Sequence, residues 1–222
     1  MNELVPRPAV NLSEDWMILI FIFSLATLAY TRSNYPLRIS RLWSSMWNIR
    51  ILRQAIREEP NTPRANLLFN ISFYLQTSLI LFLTLKFFEL HPFGLSGFLL
   101  YLLLLACVVV AYGIKIVGIR AVQILGDGDF GLTEYEYNIF LMNRGIGIFL
   151  LPVSALLAYL PKLHIEPFLL SAALIFGLMI IYRMGRGLVN AASEGIPVFY
   201  IFFYICTLEI LPIIVCVKAL SH

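Results

Sequence analysis

The sequence is short of charge. Only 13% of its 222 residues are Asp, Glu, Lys or Arg, against about 25% in an ordinary soluble domain. Cysteine and histidine are scarce too, with three of each. Cys107, Cys206 and Cys216 all fall inside apolar runs, with no CxxC spacing, so neither a disulfide framework nor a thiolate metal site is expected. His91, His164 and His222 lie at loops or at the terminus, so the chain has no pair of intramembrane imidazoles for a buried haem. HExxH, GxSxG, Walker A and CxxCH motifs are all missing. No cofactor and no metal are therefore expected, and nothing points to an enzyme. The first apolar run has no basic region before it and no small-residue cleavage site after it, so no cleaved signal peptide is expected. Alternating ten-residue segments are absent, which excludes a membrane β-barrel.

What the sequence has in abundance is apolar length. Hydrophobic residues make up 60% of it, and the mean hydropathy is +0.85. Runs recur that match the roughly 20 helical residues needed to cross a hydrocarbon core. With no water inside a bilayer, a helix is the one open segment that satisfies its own backbone. The expected fold is all-α: one polytopic membrane domain over residues 1–222, with spans near 15–31, 65–88, 93–113, 137–160, 167–182 and 196–218. Ser13-Glu14-Asp15 offers capping oxygens to the first span, and Asn61-Thr62-Pro63 opens the second. Gly126-Asp127-Gly128-Asp129 marks a loop between the third and fourth.

Charge sets the expected orientation. Eleven basic residues fall on one side: seven in the loop 32–64, then Lys115, Arg120, Arg183 and Arg186. Four fall on the other, namely Arg7, Lys86, Lys162 and Lys218. By the positive-inside rule the first side is cytoplasmic, which predicts a multi-pass protein of the bacterial inner membrane with both termini periplasmic. The basic residues sit in loops and do not interleave on one soluble face, so no nucleic acid partner is expected. Within the cytoplasmic loop, residues 38–48 read as an interfacial amphipathic helix. Ile39, Leu42, Trp43, Met46 and Trp47 share one arc, with Arg38, Arg41, Ser44, Ser45 and Asn48 opposite. Beyond it Arg50, Arg53 and Arg57 form a stripe. Together with Trp43 and Trp47 they make a candidate contact for anionic lipid or a partner protein, beside the plainer role of anchoring topology.

Polar residues inside apolar runs are the candidate functional groups. Glu209 lies roughly 20 Å into the last span by helical rise, where an ionised carboxylate costs several kcal/mol unless paired. It is expected to be protonated or hydrogen-bonded, as a proton site or as a packing contact. Thr207 adds a hydroxyl, and Pro212 frees the carbonyl of Leu208. Gln76, Thr77 and Ser78 lie at matching height in the second span. Arg144 lies nearer the cytoplasm, placed either to reach inward or to meet water at a helix end. Gly145 and Gly147 permit close helix approach. The Gly126–Asp129 segment formally matches the GxGD of intramembrane aspartyl proteases, but Asp15, the other aspartate, sits at a helix mouth.

The Glu14-Asp15-Trp16 opening, Tyr137-Asn138-Ile139-Phe140, Tyr182-Arg183 and the segment Cys206-Thr207-Leu208-Glu209-Ile210-Leu211-Pro212 resemble a family of polytopic membrane proteins from Gram-negative bacteria, catalogued as a domain of unknown function. The resemblance implies fold and compartment and carries no activity. Two functions fit the sequence: a non-catalytic subunit or assembly partner of a membrane complex, bound to another membrane protein or to copies of itself, or a small proton-coupled transporter or channel that uses Glu209.

Overall fold

The computed structural model describes residues 12–35, 63–89, 94–125, 132–159 and 166–174, with shorter stretches at 40, 42–45, 48, 51, 54, 177–179, 181–182 and 185. Its described elements are all helical. Four are long: α1 (Met17–Asn34), α2 (Pro63–Phe87), α3 (Gly97–Leu125) and α4 (Leu132–Tyr159). Each is long and apolar enough to cross a membrane. Residues 166–174 form a fifth, shorter apolar helical stretch, α5. The last expected span, 196–218, lies outside the described residues, as do Phe93 and the Gly126–Asp129 loop.

Two helix ends differ from the expectations drawn from sequence. α1 begins at Met17 with Trp16 as its cap residue and no side-chain cap bond. The backbone closes the turn instead, Met17 N–H donating to the Glu14 carbonyl at 3.0 Å, which leaves the Glu14 carboxylate for other partners. α3 starts at Gly97 and continues a further 12 residues past Gly113 to Leu125. Lys115 looked like a loop cation. It lies on the inner face of a continuing helix and is buried; no proline interrupts the chain there, and the helix runs through the single Gly118. In the expected interfacial helix, 42–45 is helical, with Leu42 and Ser45 buried and Trp43 exposed. The buried face thus includes Ser45, which the helical wheel had put opposite Leu42.

The helices alternate in direction, and α2 and α4 run parallel: Asn70 meets Arg144, Phe73 meets Gly147 and Gln76 meets Ser154 in rising order. This pair makes the most extensive helix contact. Its closeness depends on Gly147. A Cβ there would lie 2.9 Å from both Cα and Cβ of Phe73, backbone that cannot swing aside. Small residues serve this purpose where lipid removes the hydrophobic drive for helices to associate and close packing must supply it. Above and below the contact, Phe69, Phe73, Ile146 and Leu150 fill the interface.

α4 is central. Tyr137, Asn138 and Ile139, then Leu141 through Gly147, are all buried, although three of these ten residues are Asn or Arg. α3 is the opposite case, exposing Leu99, Val110, Ile114 and Val117 along its outer side. Cys107 is exposed there too. Such a surface is consistent with membrane insertion.

Gly147→Ala should destabilise the bundle by about 1–3 kcal/mol through overpacking. Unfolding in a detergent titration, compared with Gly145→Ala, measures it, and an unchanged midpoint would remove the close-contact argument.

Candidate functional site

The described polar side chains gather in three layers, each joining different helices. At one end, Lys86 near the close of α2 meets the Glu14 carboxylate at 2.5 Å and donates to the Leu12 carbonyl at 3.1 Å. Trp16 Nε1 donates to the second Glu14 oxygen at 2.5 Å. The Trp16 ring packs edge-on to Phe82 and Phe98, each at 5.4 Å between centroids, and lies beside Tyr101. Gly97 adopts a positive φ of 60° at the start of α3, a conformation that glycine takes without strain. The whole group fastens α1, α2 and α3 at one rim. Its ion pair is about a third exposed, so its geometric role outweighs its charge.

The middle layer is the most deeply buried. Gln76, at 0% exposure, uses both ends of its amide. Nε2 donates to Ser24 Oγ on α1 at 2.9 Å. Oε1 accepts from Ser154 Oγ on α4 at 2.5 Å. Both serines are also at 0% exposure. A lone glutamine in an apolar run is costly in hydrocarbon unless partners reach it from neighbouring helices, and here one side chain ties three helices together.

The third layer lies towards the other end. Arg144 is 4% exposed and donates through Nε to Asn70 Oδ1 at 3.2 Å. Its guanidinium lies 6.0 Å from the ring centroids of both Tyr137 and Phe140. Arg144 is therefore a bundle residue and not one meeting water at the helix end, because α4 begins well before it, at Leu132. Tyr112 on α3 donates to Asn143 Oδ1 at 3.5 Å, and its ring meets Phe73 edge-to-face and lies tilted against Tyr74. Lys115 and Asn66 are buried as well. The constant offset of the Asn70–Arg144 and Phe73–Gly147 contacts sets Asn66 level with Phe140, and the α3–α4 pairs set Lys115 there too. Outside this layer, Arg120 on α3 pairs with Glu136 on α4 at 3.3 Å.

Some buried polar atoms make no hydrogen bond: Thr77 Oγ1, Tyr101 Oη and both amide atoms of Asn138. No group of His, Cys, Asp and Glu suited to a metal occurs among the described residues.

The profile of a domain of unknown function, DUF4271, matches residues 17–220. The chain belongs to the DUF4271 family. Neither the curated proteins nor the solved structures contain a match to it. The match covers nearly the whole chain, including the apolar segment that carries Glu209.

Of the residues singled out in the sequence of this DUF4271 chain, Gln76 and Arg144 occupy separate layers along α2 and α4, divided by the Phe73–Gly147 contact. Trp43 is exposed. Glu209, Thr207, Trp47, Arg50, Arg53 and Arg57 lie outside the described residues. The sequence reading missed Ser24, Ser154 and Asn70, and the Glu14–Lys86–Trp16 group. Ser24 and Ser154 were visible as single hydroxyls inside apolar runs. The helix register that pairs them with Gln76 was not.

Gln76→Leu should cost about 1–2 kcal/mol, taking each intramembrane hydrogen bond at about 0.6 kcal/mol and adding two stranded serine hydroxyls. In a double-mutant cycle with Ser154→Ala the losses should fall short of additive. Strict additivity in detergent unfolding would show that the amide does not couple α2 to α4.

Proposed function

We propose that this DUF4271 chain is a multi-pass protein of the bacterial inner membrane, acting as a non-catalytic subunit or assembly partner of a membrane complex. The observation that carries this reading is how the middle layer uses its polar groups. Gln76, Ser24 and Ser154 are fully buried and bonded to one another across three helices. Polar groups arranged in that way hold helices at fixed spacing and do not line a water path. The outward side of α3 is apolar and suits lipid or another membrane helix.

Orientation follows from charge. Arg32 at the end of α1 and Arg120 near the end of α3 share the side of the basic loop, while Lys86 and Glu14 mark the other. Both termini are then periplasmic. Trp43, Trp47, Arg50, Arg53 and Arg57 form the contact to the partner, on the cytoplasmic side. Alkaline phosphatase joined after residue 222 should be active, and green fluorescent protein at the same place dark; the reverse pattern would overturn the orientation.

A mild-detergent pull-down of the tagged chain tests the subunit reading, with bound proteins identified by mass spectrometry. A stoichiometric membrane protein should co-purify. It should be lost, at least tenfold, when Arg50, Arg53 and Arg57 are changed to Gln while the chain still inserts. A solitary chain that suffices for its cellular role would end this reading.

The second reading, a proton-coupled transporter or channel using Glu209, is favoured by one observation. Thr77 Oγ1 and the Asn138 amide are sealed in the bundle without partners, which is how groups that exchange partners in a cycle would sit. Glu209-dependent flux in proteoliposomes under a proton gradient or a voltage would support it. Equal flux in wild type and Glu209→Gln would remove it.

A further inference from the structure

The two bonds of Gln76 are not equally committed. On the α1 side its amide donates to Ser24 Oγ at 2.9 Å. On the α4 side, Ser154 Oγ lies within donating distance of two acceptors: Gln76 Oε1 at 2.5 Å and the Leu151 carbonyl, three residues back in its own helix, at 2.9 Å. A serine hydroxyl has one proton to give. Turning the O–H bond hands that proton from one acceptor to the other without moving a heavy atom. The hydroxyl therefore loses nothing when it lets go of α2, because back-bonding to its own helix replaces the contact. What favours the contact is the Gln76 oxygen, which would be left unmet in apolar surroundings.

This two-way hydroxyl sits beside a weak point in α4. Pro152 lies inside the helix, between Leu151 and Ser154. Having no N–H, it leaves the Ile148 carbonyl without its helical donor, and its ring crowds that carbonyl, so α4 bends most easily here. Pro152 is on the exposed side of the helix and Ser154 on the buried side. The parts of α4 on either side of the proline are also held differently. Before it, Gly147 is set against the Phe73 backbone and Arg144 donates to Asn70. After it, Leu157 and Ala158 share an apolar cluster with Leu79, Phe82 and Leu83, contacts that carry little direction. Ser154 supplies the directional bond of this last part to α2.

We propose that Ser154 and Pro152 form a conformational switch in α4. The end of the helix, from Val153 to Tyr159, pivots at Pro152 between two positions. In the clamped position Ser154 donates to Gln76; in the released position it donates to the Leu151 carbonyl. The longer part of α4, up to Leu151, stays docked on α2 in both, and Ser24 keeps α1 on the Gln76 amide. A bundle otherwise tied at fixed spacing thus has one adjustable element, at the end marked by Lys86 and Glu14.

Distances between paired spin labels test this in the full-length chain in lipid, with the three native cysteines changed to Ala. Leu81 on α2 and Leu156 on α4 are exposed and carry one pair of labels; Leu25 on α1, also exposed, and Leu81 carry a reference pair. The expected Leu81–Leu156 distribution has two populations in otherwise wild-type protein. Ser154→Ala should move it to the longer one, by about 2 Å, the arc that a pivot of roughly 20° sweeps about 6 Å along the helix. Pro152→Ala restores the backbone bond and should leave the shorter distance alone. The Leu25–Leu81 distance should hold in every variant. A Leu81–Leu156 distance that Ser154→Ala does not lengthen overturns the switch, and so does a reference pair that moves as far. If Ser154→Ala does not fold, Pro152→Ala decides: a distribution as broad as that with proline overturns the pivot.

Discussion

The arrangement depends on a single side-chain amide. In hydrocarbon a primary amide has no water to turn to, and leaving its groups unmet costs about 1–3 kcal/mol each. Gln76 avoids that cost only if α1 brings Ser24 to one side and α4 brings Ser154 to the other. Apolar packing alone would accept many rotations of three such helices, because Leu and Phe faces differ little from lipid tails. The amide accepts one. Once it is met, the register of α2 against α4 is fixed, and Gly147 falls against the backbone of Phe73.

The charged groups follow from that register. Arg144 comes level with Asn70, and the ring faces of Tyr137 and Phe140 receive its guanidinium. An arginine can be kept this deep because its planar head spreads charge over several donors and tolerates aromatic faces. At the other rim the Lys86–Glu14 pair and Trp16 bind the chain ahead of α1 to the end of α2. The two rims differ in kind. One carries an ion pair about a third exposed, the other a buried cation among amides and phenols.

The resemblance to an uncharacterised family was legible in its short motifs, and helical class and the spanning length of α1, α2, α3 and α4 were legible because hydrocarbon thickness translates directly into run length. The end of α3 was harder to read. Lys115 looked like a loop cation because charge usually marks the end of a span, yet it faces inward on a helix that runs on. For Arg144 the sequence left two placements open, inward or at a helix end, because hydropathy reports depth but not which neighbour waits there; its partner Asn70 was not legible. Gln76 and Gly147 were noticed in the sequence. Their partners Ser24, Ser154 and Phe73 depend on tertiary register, which a membrane helix pattern leaves undetermined, since lipid-facing and protein-facing sides are both apolar. The amphipathic loop helix was a matter of period, and Ser45 shows the limit of a wheel drawn without knowledge of what covers it.

The three members of the Gln76 tie are far apart along the chain, and a ribosome makes them in order. Ser24 precedes Gln76 by 52 residues, and Ser154 follows it by 78. At about 5–20 residues per second, Ser154 is made roughly 4–16 s after Gln76. During that interval α1 can satisfy the amide N–H, while the amide oxygen waits for a helix that does not yet exist. Until then the first two helices form a half-satisfied hairpin. Arrival of α4 completes the Gln76 tie, so this tie has a built-in order of assembly in which the fourth helix acts as the latch.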